Sequence, residues 1–356
     1  PGVPKYYRLQ VTNQGWRTDT IDISTSGTLP GWTVAILRSD SINPLPDTDG
    51  DGRPDTGPLA SGASTYIVIR LTPPANAPAG QTDVTTVTGT SSVDVNVSDN
   101  AILTTRVKLF ASILVDADQI DSILPGDSIR YPLTVINNGN IVDTVSLLAW
   151  HTLAGWTNRL IDSSGIVINR IVVNGFGGRR GIFCWIKSPV TALAGTTDTT
   201  IVRGTSQWRT TVRDSAILRT RIKVVANIIV DPDQQGAIVT GDSIRYPINV
   251  INNGNAIDTI SLITWHSRPG WTTRIVDSSG TTISRVVVNP SGARRGIFTW
   301  VKSPSNAPAG SIDTTILRGT SRWSATVRDS AILRTTINLT ASIIVDPDRQ
   351  GTVRPR

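Results

Sequence analysis

The sequence predicts an all-β protein of three tandem β-sandwich domains arranged as a rod, followed by a strand-forming C-terminal tail. Three observations predict it. The first is a repeat: Gly126-Asp127-Ser128-Ile129-Arg130-Tyr131-Pro132 returns as Gly241-Asp242-Ser243-Ile244-Arg245-Tyr246-Pro247, and residues 1–15 match 125–139. A long-period repeat marks tandem modules, and 356 residues over three copies leave each one long enough to bury a core. The second is composition: Thr, Ser, Val and Ile dominate, Glu and Met are absent, and Arg far outnumbers Lys, which favours strands over helices. The third is spacing, with short alternating runs separated by turn signals roughly every ten residues.

Within a copy, residues 130–136 read as a strand, and Asn137-Asn138-Gly139-Asn140 as a tight hairpin turn whose Asn and Gly tolerate positive φ. Residues 143–150 form the next strand. Gly31-Trp32, Gly155-Trp156 and Gly270-Trp271 occupy one equivalent position, which fits core Trp residues under a turn better than ligand platforms. A second hairpin is expected at Asp162-Ser163-Ser164-Gly165 and at Asp277-Ser278-Ser279-Gly280. The text from Ala216 to Lys223 runs into Ile228-Ile229-Val230 with no Gly/Ser linker, so the joints should be stiff. The expected domains are 1–108, 109–223 and 224–340, with 341–356 as the tail.

An apolar segment precedes the second and third copies, Ala111-Ser112-Ile113-Leu114-Val115-Asp116 and Ala226-Asn227-Ile228-Ile229-Val230-Asp231. No such text stands ahead of Pro1, yet it recurs as Ala341-Ser342-Ile343-Ile344-Val345-Asp346-Pro347-Asp348. The expectation is a first domain lacking its opening strand, complemented by the tail of another copy, with Ile343, Ile344 and Val345 filling the groove. Such β-augmentation satisfies a bare sheet edge, and a head-to-tail contact that does not close propagates a fibre.

The net charge of +7 comes from Arg residues spread at repeat spacing and alternating with Asp, as in Arg213-Asp214 and Arg328-Asp329, which argues against a nucleic-acid partner. Acidic neighbours on another subunit, or acidic glycans, suit the same balance. Apolar runs are strand-sized, so no membrane span is expected. A start at Pro1 with no leader is read as a processed, exported chain. Cys184 stands alone, with Thr299 at the equivalent position, and reads as a small core filler.

The phrase Pro125-Gly126-Asp127-Ser128-Ile129-Arg130-Tyr131-Pro132-Leu133-Thr134-Val135-Ile136-Asn137-Asn138-Gly139-Asn140, then Gly155-Trp156, then Ala194-Gly195-Thr196-Thr197-Asp198, resembles the Ig-like repeats of bacterial and archaeal exported surface proteins. The repeats are also similar to the alpha-galactosidase-associated Ig-like domains. The resemblance spans all three copies and implies an Ig-like fold and an extracellular, cell-surface location. It also implies that the apolar strand belongs to the domain that follows it, so residues 343–345 would begin a fourth.

Asp47-Thr48-Asp49-Gly50-Asp51-Gly52-Arg53-Pro54-Asp55 is the most specific local motif. Alternating carboxylates with Gly at the sixth position can wrap a hard cation, and calcium is the natural ion. Asp47, Asp49, Asp51 and Asp55 are the expected side-chain ligands, with the Arg53 carbonyl as a backbone ligand. An EF-hand would place Glu where Pro58 stands, so the shorter loops of exported repeat proteins are the better comparison; a solvated acidic loop is the alternative. Strand alternation puts Phe183 and Trp185, and likewise Phe298 and Trp300, opposite the core side of their strands, while Trp150 and Trp265 replace Ser26 of the first copy. The second and third domains should therefore show an extra aromatic face, either a lateral or glycan contact or a surface covered by a loop of the same domain. Asn96 and Asn338 fit the glycosylation sequon. His151 and His266 stand at equivalent positions in separate copies and read as structural. With no nucleophile elbow, no phosphate loop and no Glu, an enzyme is not expected.

Three functions compete at this stage: a filament subunit joined head to tail, an adhesin or glycan-binding module carried on a rod, and a spacer of a larger surface protein. They differ in whether the tail is needed for assembly.

Overall fold

The computed structural model describes residues 2–341 and 343. Every regular element among them is a strand. The first domain contains β1 (Lys5–Thr12), β2 (Asp19–Ser26), β3 (Thr33–Arg38), β4 (Asp55–Leu59), β5 (Ser64–Thr72), β6 (Thr82–Ser91) and β7 (Ser98–Arg106). The second contains β8 (Ile113–Asp116), β9 (Gln119–Ile123), β10 (Ser128–Asn137), β11 (Asp143–His151), β12 (Thr157–Ile161), β13 (Arg170–Val173), β14 (Gly178–Lys187), β15 (Thr197–Ser206) and β16 (Arg213–Ile222). The third repeats the second, with β17 (Ile228–Asp231), β18 (Gln234–Ile238), β19 (Ser243–Asn252), β20 (Asp258–His266), β21 (Thr272–Val276), β22 (Arg285–Val288), β23 (Ala293–Lys302), β24 (Ile312–Thr320) and β25 (Arg328–Ile337).

Each domain is a sandwich of two sheets. In the second domain a sheet of order β12-β14-β10-β8 faces one of order β13-β11-β15-β16-β9, and the third domain has the same orders. Alternation along β14 sends Ile182, Cys184 and Ile186 inward, where all three are buried beside Leu133, Val135, Val202 and Leu218. Full burial of each large aliphatic side chain contributes about 1.5–3 kcal/mol. Trp32, Trp156 and Trp271 are buried, as expected of the Gly-Trp positions. Cys184 lies fully inside the core, and burial pushes its thiol up to about 12.

The opening strand has two halves. β8 runs antiparallel to β10, pairing Ile113 with Asn137, and the chain then crosses so that β9 runs parallel to β16 in the other sheet. β17 and β18 do the same against β19 and β25. Only the first half was legible as an apolar run; the second, Gln119-Ile120-Asp121-Ser122-Ile123, is too polar to stand out. In the first domain the sheets are β1-β5-β3 and β4-β2-β6-β7, so the counterparts of β8 and β9 are both missing among the described residues.

Two expectations need correction. β10 and β11 belong to different sheets, so Asn137-Asn138-Gly139-Asn140 is a sheet-to-sheet crossing and not a hairpin. The Asn137 amide donates to the Ile141 and Val173 carbonyls, and its Oδ1 accepts the Gly139 N–H at 2.9 Å. Gly139 is needed for space, because a Cβ there would meet the Phe110 carbonyl oxygen at 2.6 Å. The aromatic side chains also split between two faces. Phe183 and Trp185 lie on the outside of the four-stranded sheet, whereas Trp150 lies on the outside of the five-stranded one.

Mid-strand Gly204 and Gly319 are explained by β8 and β17. A Cβ on Gly204 would lie 2.7 Å from Val115 Cγ2, and one on Gly319 2.8 Å from Val230 Cγ2. Gly204→Val is therefore expected to cost the second domain about 1–3 kcal/mol by overpacking. At the equivalent Gly89 the nearest atoms are Ile21 Cγ2 at 3.1 Å and Ile23 Cδ1 at 3.8 Å, with no clash below 3.0 Å, so Gly89→Val should cost the first domain less than Gly204→Val costs the second. Calorimetric unfolding of the two variants checks this, and equal losses would contradict it.

Candidate functional site

The first domain carries an open groove of about 700 Å³ between its two sheets. β1 supplies Leu9 and Val11 to one wall and the segment just after it Asn13; β2 and β6 supply Ile21, Ile23, Val87 and Gly89; β7 supplies Asp99 and Ala101. The repeat alignment shows what the groove lacks. Leu9, Val11, Ile21 and Ala101 are only half-buried, while their counterparts Leu133, Val135, Val145 and Ala216 are 3%, 0%, 0% and 1% exposed beneath β8. Among the described residues β1 and β7 are edge strands with no partner on their outer side, which favours addition of a strand.

One carboxylate at the rim, Asp99, matches the residues that hold β8 and β17. The Val115 N–H donates to Asp214 Oδ2 at 2.9 Å, and the Val230 N–H to Asp329 Oδ2 at 2.8 Å. Their counterpart Asp99 is exposed, and its carboxylate accepts no hydrogen bond among the described residues. In the other direction, Asp118 Oδ1 accepts the Ile217 N–H and Asp233 Oδ1 the Ile332 N–H, which makes Asp348 the matching residue of the tail. Gly89 and Asp99 escaped the sequence reading. A glycine recurring at one place inside a strand, in Thr88-Gly89-Thr90, Arg203-Gly204-Thr205 and Arg318-Gly319-Thr320, was the available signal.

Of the expected donor residues, Ile343 is 86% exposed, whereas Ile344 and Val345 lie outside the described residues.

The acidic loop between β3 and β4 divides into two carboxylate groups, Asp47/Asp49/Asp55 and Asp22/Asp49/Asp51, with oxygens in each within 4.8 Å of one another. Asp22, on β2, was not foreseen. Asp55 is fully buried and accepts hydrogen bonds from the Thr48 N–H, the Thr48 hydroxyl and the Gly57 N–H. Burial alone would raise its carboxyl, but these donors outweigh it and hold it below the ordinary value. Asp47 accepts the Gly50 and Gly52 N–H groups, and Asp51 the Arg53 N–H. Asp22 is pushed up, first by burial and also by Asp51 and Asp49. The Arg53 guanidinium reaches 3.6 Å from Asp22 and 3.9 Å from Asp51.

Guanidinium groups, and not a loop, lie over the outward aromatic rings. Arg130 stacks on Phe183 at 4.5 Å, Arg159 on Trp185 at 4.1 Å and Arg203 on Trp150 at 4.7 Å. Arg245 on Phe298 and Arg318 on Trp265 repeat the arrangement, and Trp300 lies between Arg245 and Arg274 in register. Asn96 is exposed on a turn closed by Asp94, and Asn338 is exposed after β25.

His151 and His266 end β11 and β20. Both Asp198 Oδ2 and Thr200 Oγ1 lie 2.8 Å from His151 Nδ1, and Asp313 and Thr315 hold His266 Nδ1 in the same way. The Nε2 atoms of both rings are buried without a hydrogen-bond partner. Carboxylate and hydroxyl thus share one ring nitrogen, whereas a relay needs them on opposite ones.

No protein-family model and no curated protein matches the sequence. Among solved structures, mouse cadherin-23 EC22-24 is similar over 89% of this chain and 86% of that one, at 10% identity and a TM-score of 0.37. The CsuC-CsuE chaperone-tip adhesion subunit pre-assembly complex of Acinetobacter baumannii matches 58% of this chain and 99% of that one, at 12% identity and a TM-score of 0.35. A tetra-tandem repeat from the extending region of a large adhesion protein covers 93% and 74%, at 13% identity and a TM-score of 0.28.

Asp198 gives a pH prediction. Burial would raise its carboxyl, but hydrogen bonds from His151, Thr200 and the Leu153 N–H hold it below the ordinary 3.8. A carboxyl depressed on folding contributes stability that is present above the unfolded value and lost as pH falls through the folded one. Asp198→Asn should therefore lower the second domain's melting temperature at neutral pH and reduce its further loss below about pH 4. Melting curves from about pH 7 to pH 2 check this, and an unchanged acid slope would contradict it.

Proposed function

We propose that the chain is a structural subunit of an extracellular filament, joined head to tail when residues 341–353 of one copy enter the first-domain groove of the next. The observation that carries this reading is Gly89. It keeps open the space that Gly204 and Gly319 give to Val115 and Val230, and the tail repeats the sequence of the strands that fill it. On the register of β8 and β17, Ile343 would pair with Asn13 and Val345 with Val11. Ile113 and Val115 face the core while Leu114 is 40% exposed between them. By the same alternation Ile343 and Val345 fill the groove and Ile344 faces outward, which revises the expectation that all three fill it. The second half, residues 349–353, would run parallel along β7 as β18 runs along β25. On this reading 341–356 act apart from the three domains of their own chain, and self is the principal partner.

The Arg-covered aromatic rows suit lateral contacts or acidic surface glycans better than a bare sugar platform, because Phe183, Trp185, Trp150, Phe298 and Trp265 are already stacked by a cation. Asn96 and Asn338 remain candidates for glycosylation.

Imaging tests the reading. The full chain should form filaments, and a chain ending at Asn338 should stay monomeric, as should Val345→Asp and Gly89→Val, which place charge or bulk at the proposed seat. Monomers from every sample, or filaments from the truncated chain, would contradict it and favour a spacer or a binding rod.

We also infer that the 47–55 loop takes calcium. Five carboxylates, including Asp22, converge against one guanidinium, and a hard divalent cation would relieve their repulsion. Asp47, Asp49, Asp51 and Asp22 would supply oxygens; Asp55 would organise the loop through its N–H contacts, and the Arg53 carbonyl remains a candidate backbone ligand. Millimolar calcium should raise the first domain's melting temperature and a chelator should reverse this, with Asp49→Asn abolishing the effect. An unchanged melting temperature would contradict the assignment.

A further inference from the structure

Each joint inside the chain is keyed by one asparagine. Asn140 Oδ1 accepts the Phe110 N–H at 2.8 Å, its amide donates to the Lys108 carbonyl at 2.9 Å, and its own carbonyl accepts the Ala79 N–H of the preceding domain at 3.0 Å. Asn255 repeats this with Val225, Lys223 and the Ala194 N–H, at 2.7, 3.0 and 2.9 Å. The glycine before each asparagine is crowded by the incoming chain, since a Cβ on Gly254 would meet the Val225 carbonyl oxygen at 2.4 Å.

The first domain keeps the glycine and changes the key. Trp16 stands where Asn140 and Asn255 stand, 86% exposed, with the Arg17 guanidinium 5.4 Å from its ring. Beside it, a Cβ on Gly15 would meet only Asn13 Oδ1, at 3.1 Å. At the other end of the molecule the Ala309 N–H, equivalent to those of Ala79 and Ala194, has no hydrogen-bond partner among the described residues, and Leu339 is 84% exposed.

Resting on the donor-strand reading, we propose that Trp16 is the anchor of the joint between copies, docking against residues 338–341 and the Ala309 end of a second copy. The Trp16 carbonyl accepts the Ala309 N–H, as Asn140 and Asn255 do for their own neighbours. The indole covers Leu339, and its N–H donates to the Asn338 carbonyl, the place the asparagine amide takes in the internal joints. An indole buries more apolar surface than a carboxamide and brings a single donor, which suits a joint that forms between molecules.

The test uses the full chain carrying Ile343→Asp and Val345→Asp, so that its own tail cannot compete, titrated with two peptides. One spans residues 343–353 and the other 338–353. Both should bind the groove, the longer one about tenfold more tightly, and Trp16→Ala should abolish that difference while leaving the shorter peptide's affinity unchanged. Equal affinities in the parent chain, or a difference that survives Trp16→Ala, would overturn the role of Trp16 and leave the donor-strand reading intact. Failure of both peptides to bind would overturn the two together.

Discussion

Each complete sandwich of this protein depends on a short two-part strand that closes both sheets at once. Its first half covers the β10 side of the core with Ile113 and Val115, and its second half extends the opposite sheet beside β16. Backbone pairing and apolar cover come from the same few residues, so losing the strand costs both together. Among the described residues the first domain shows the consequence, with the edges of β1 and β7 unpaired and a row of half-buried aliphatic side chains where its neighbours have a dry core.

That dependence explains features that look unrelated along the chain. A glycine inside a strand is a local weakness, yet Gly204 and Gly319 are required because a valine occupies the space above them. Asp214 and Asp329 sit where each accepts the N–H of that same valine. Among the described residues no strand lies over Gly89 and Asp99 of the first domain, and no linker segment lies against Gly15 as one does against Gly139 and Gly254. A domain adapted to stand open would gain from filling the space over Gly89 and Gly15, so their presence fits a domain completed by another segment.

Much of this was legible in the sequence because it is written in triplicate. The repeat sets the three sandwiches, strand alternation gives the inward set on β14, and the buried Trp residues follow from their shared position after a glycine. What was not legible depends on contacts distant in sequence. The Asn-Asn-Gly segment looks like a hairpin because its composition is that of a turn, and only the placement of β10 and β11 in different sheets shows that it crosses between them. Asp22 joins the acidic loop from β2, far along the chain from Asp49 and Asp51, and no local spacing announces it. The aromatic rows were visible as alternation, but their division between opposite faces and their cover of Arg required the pairing of strands.

The central claim is that the seat above Gly89 receives Val345 of a different copy. An ideal Cβ at Gly204 lies 2.7 Å from a γ-methyl of Val115, so the matching pair in the proposed joint is within reach of a disulfide. The most direct measurement mixes a Gly89→Cys chain with a Val345→Cys chain under mild oxidation and reads the products by mass. The account predicts a covalent heterodimer joined through residues 89 and 345, with the buried Cys184 unmodified. Chains that remain uncrosslinked, or a disulfide that forms only within one chain carrying both substitutions, would contradict it.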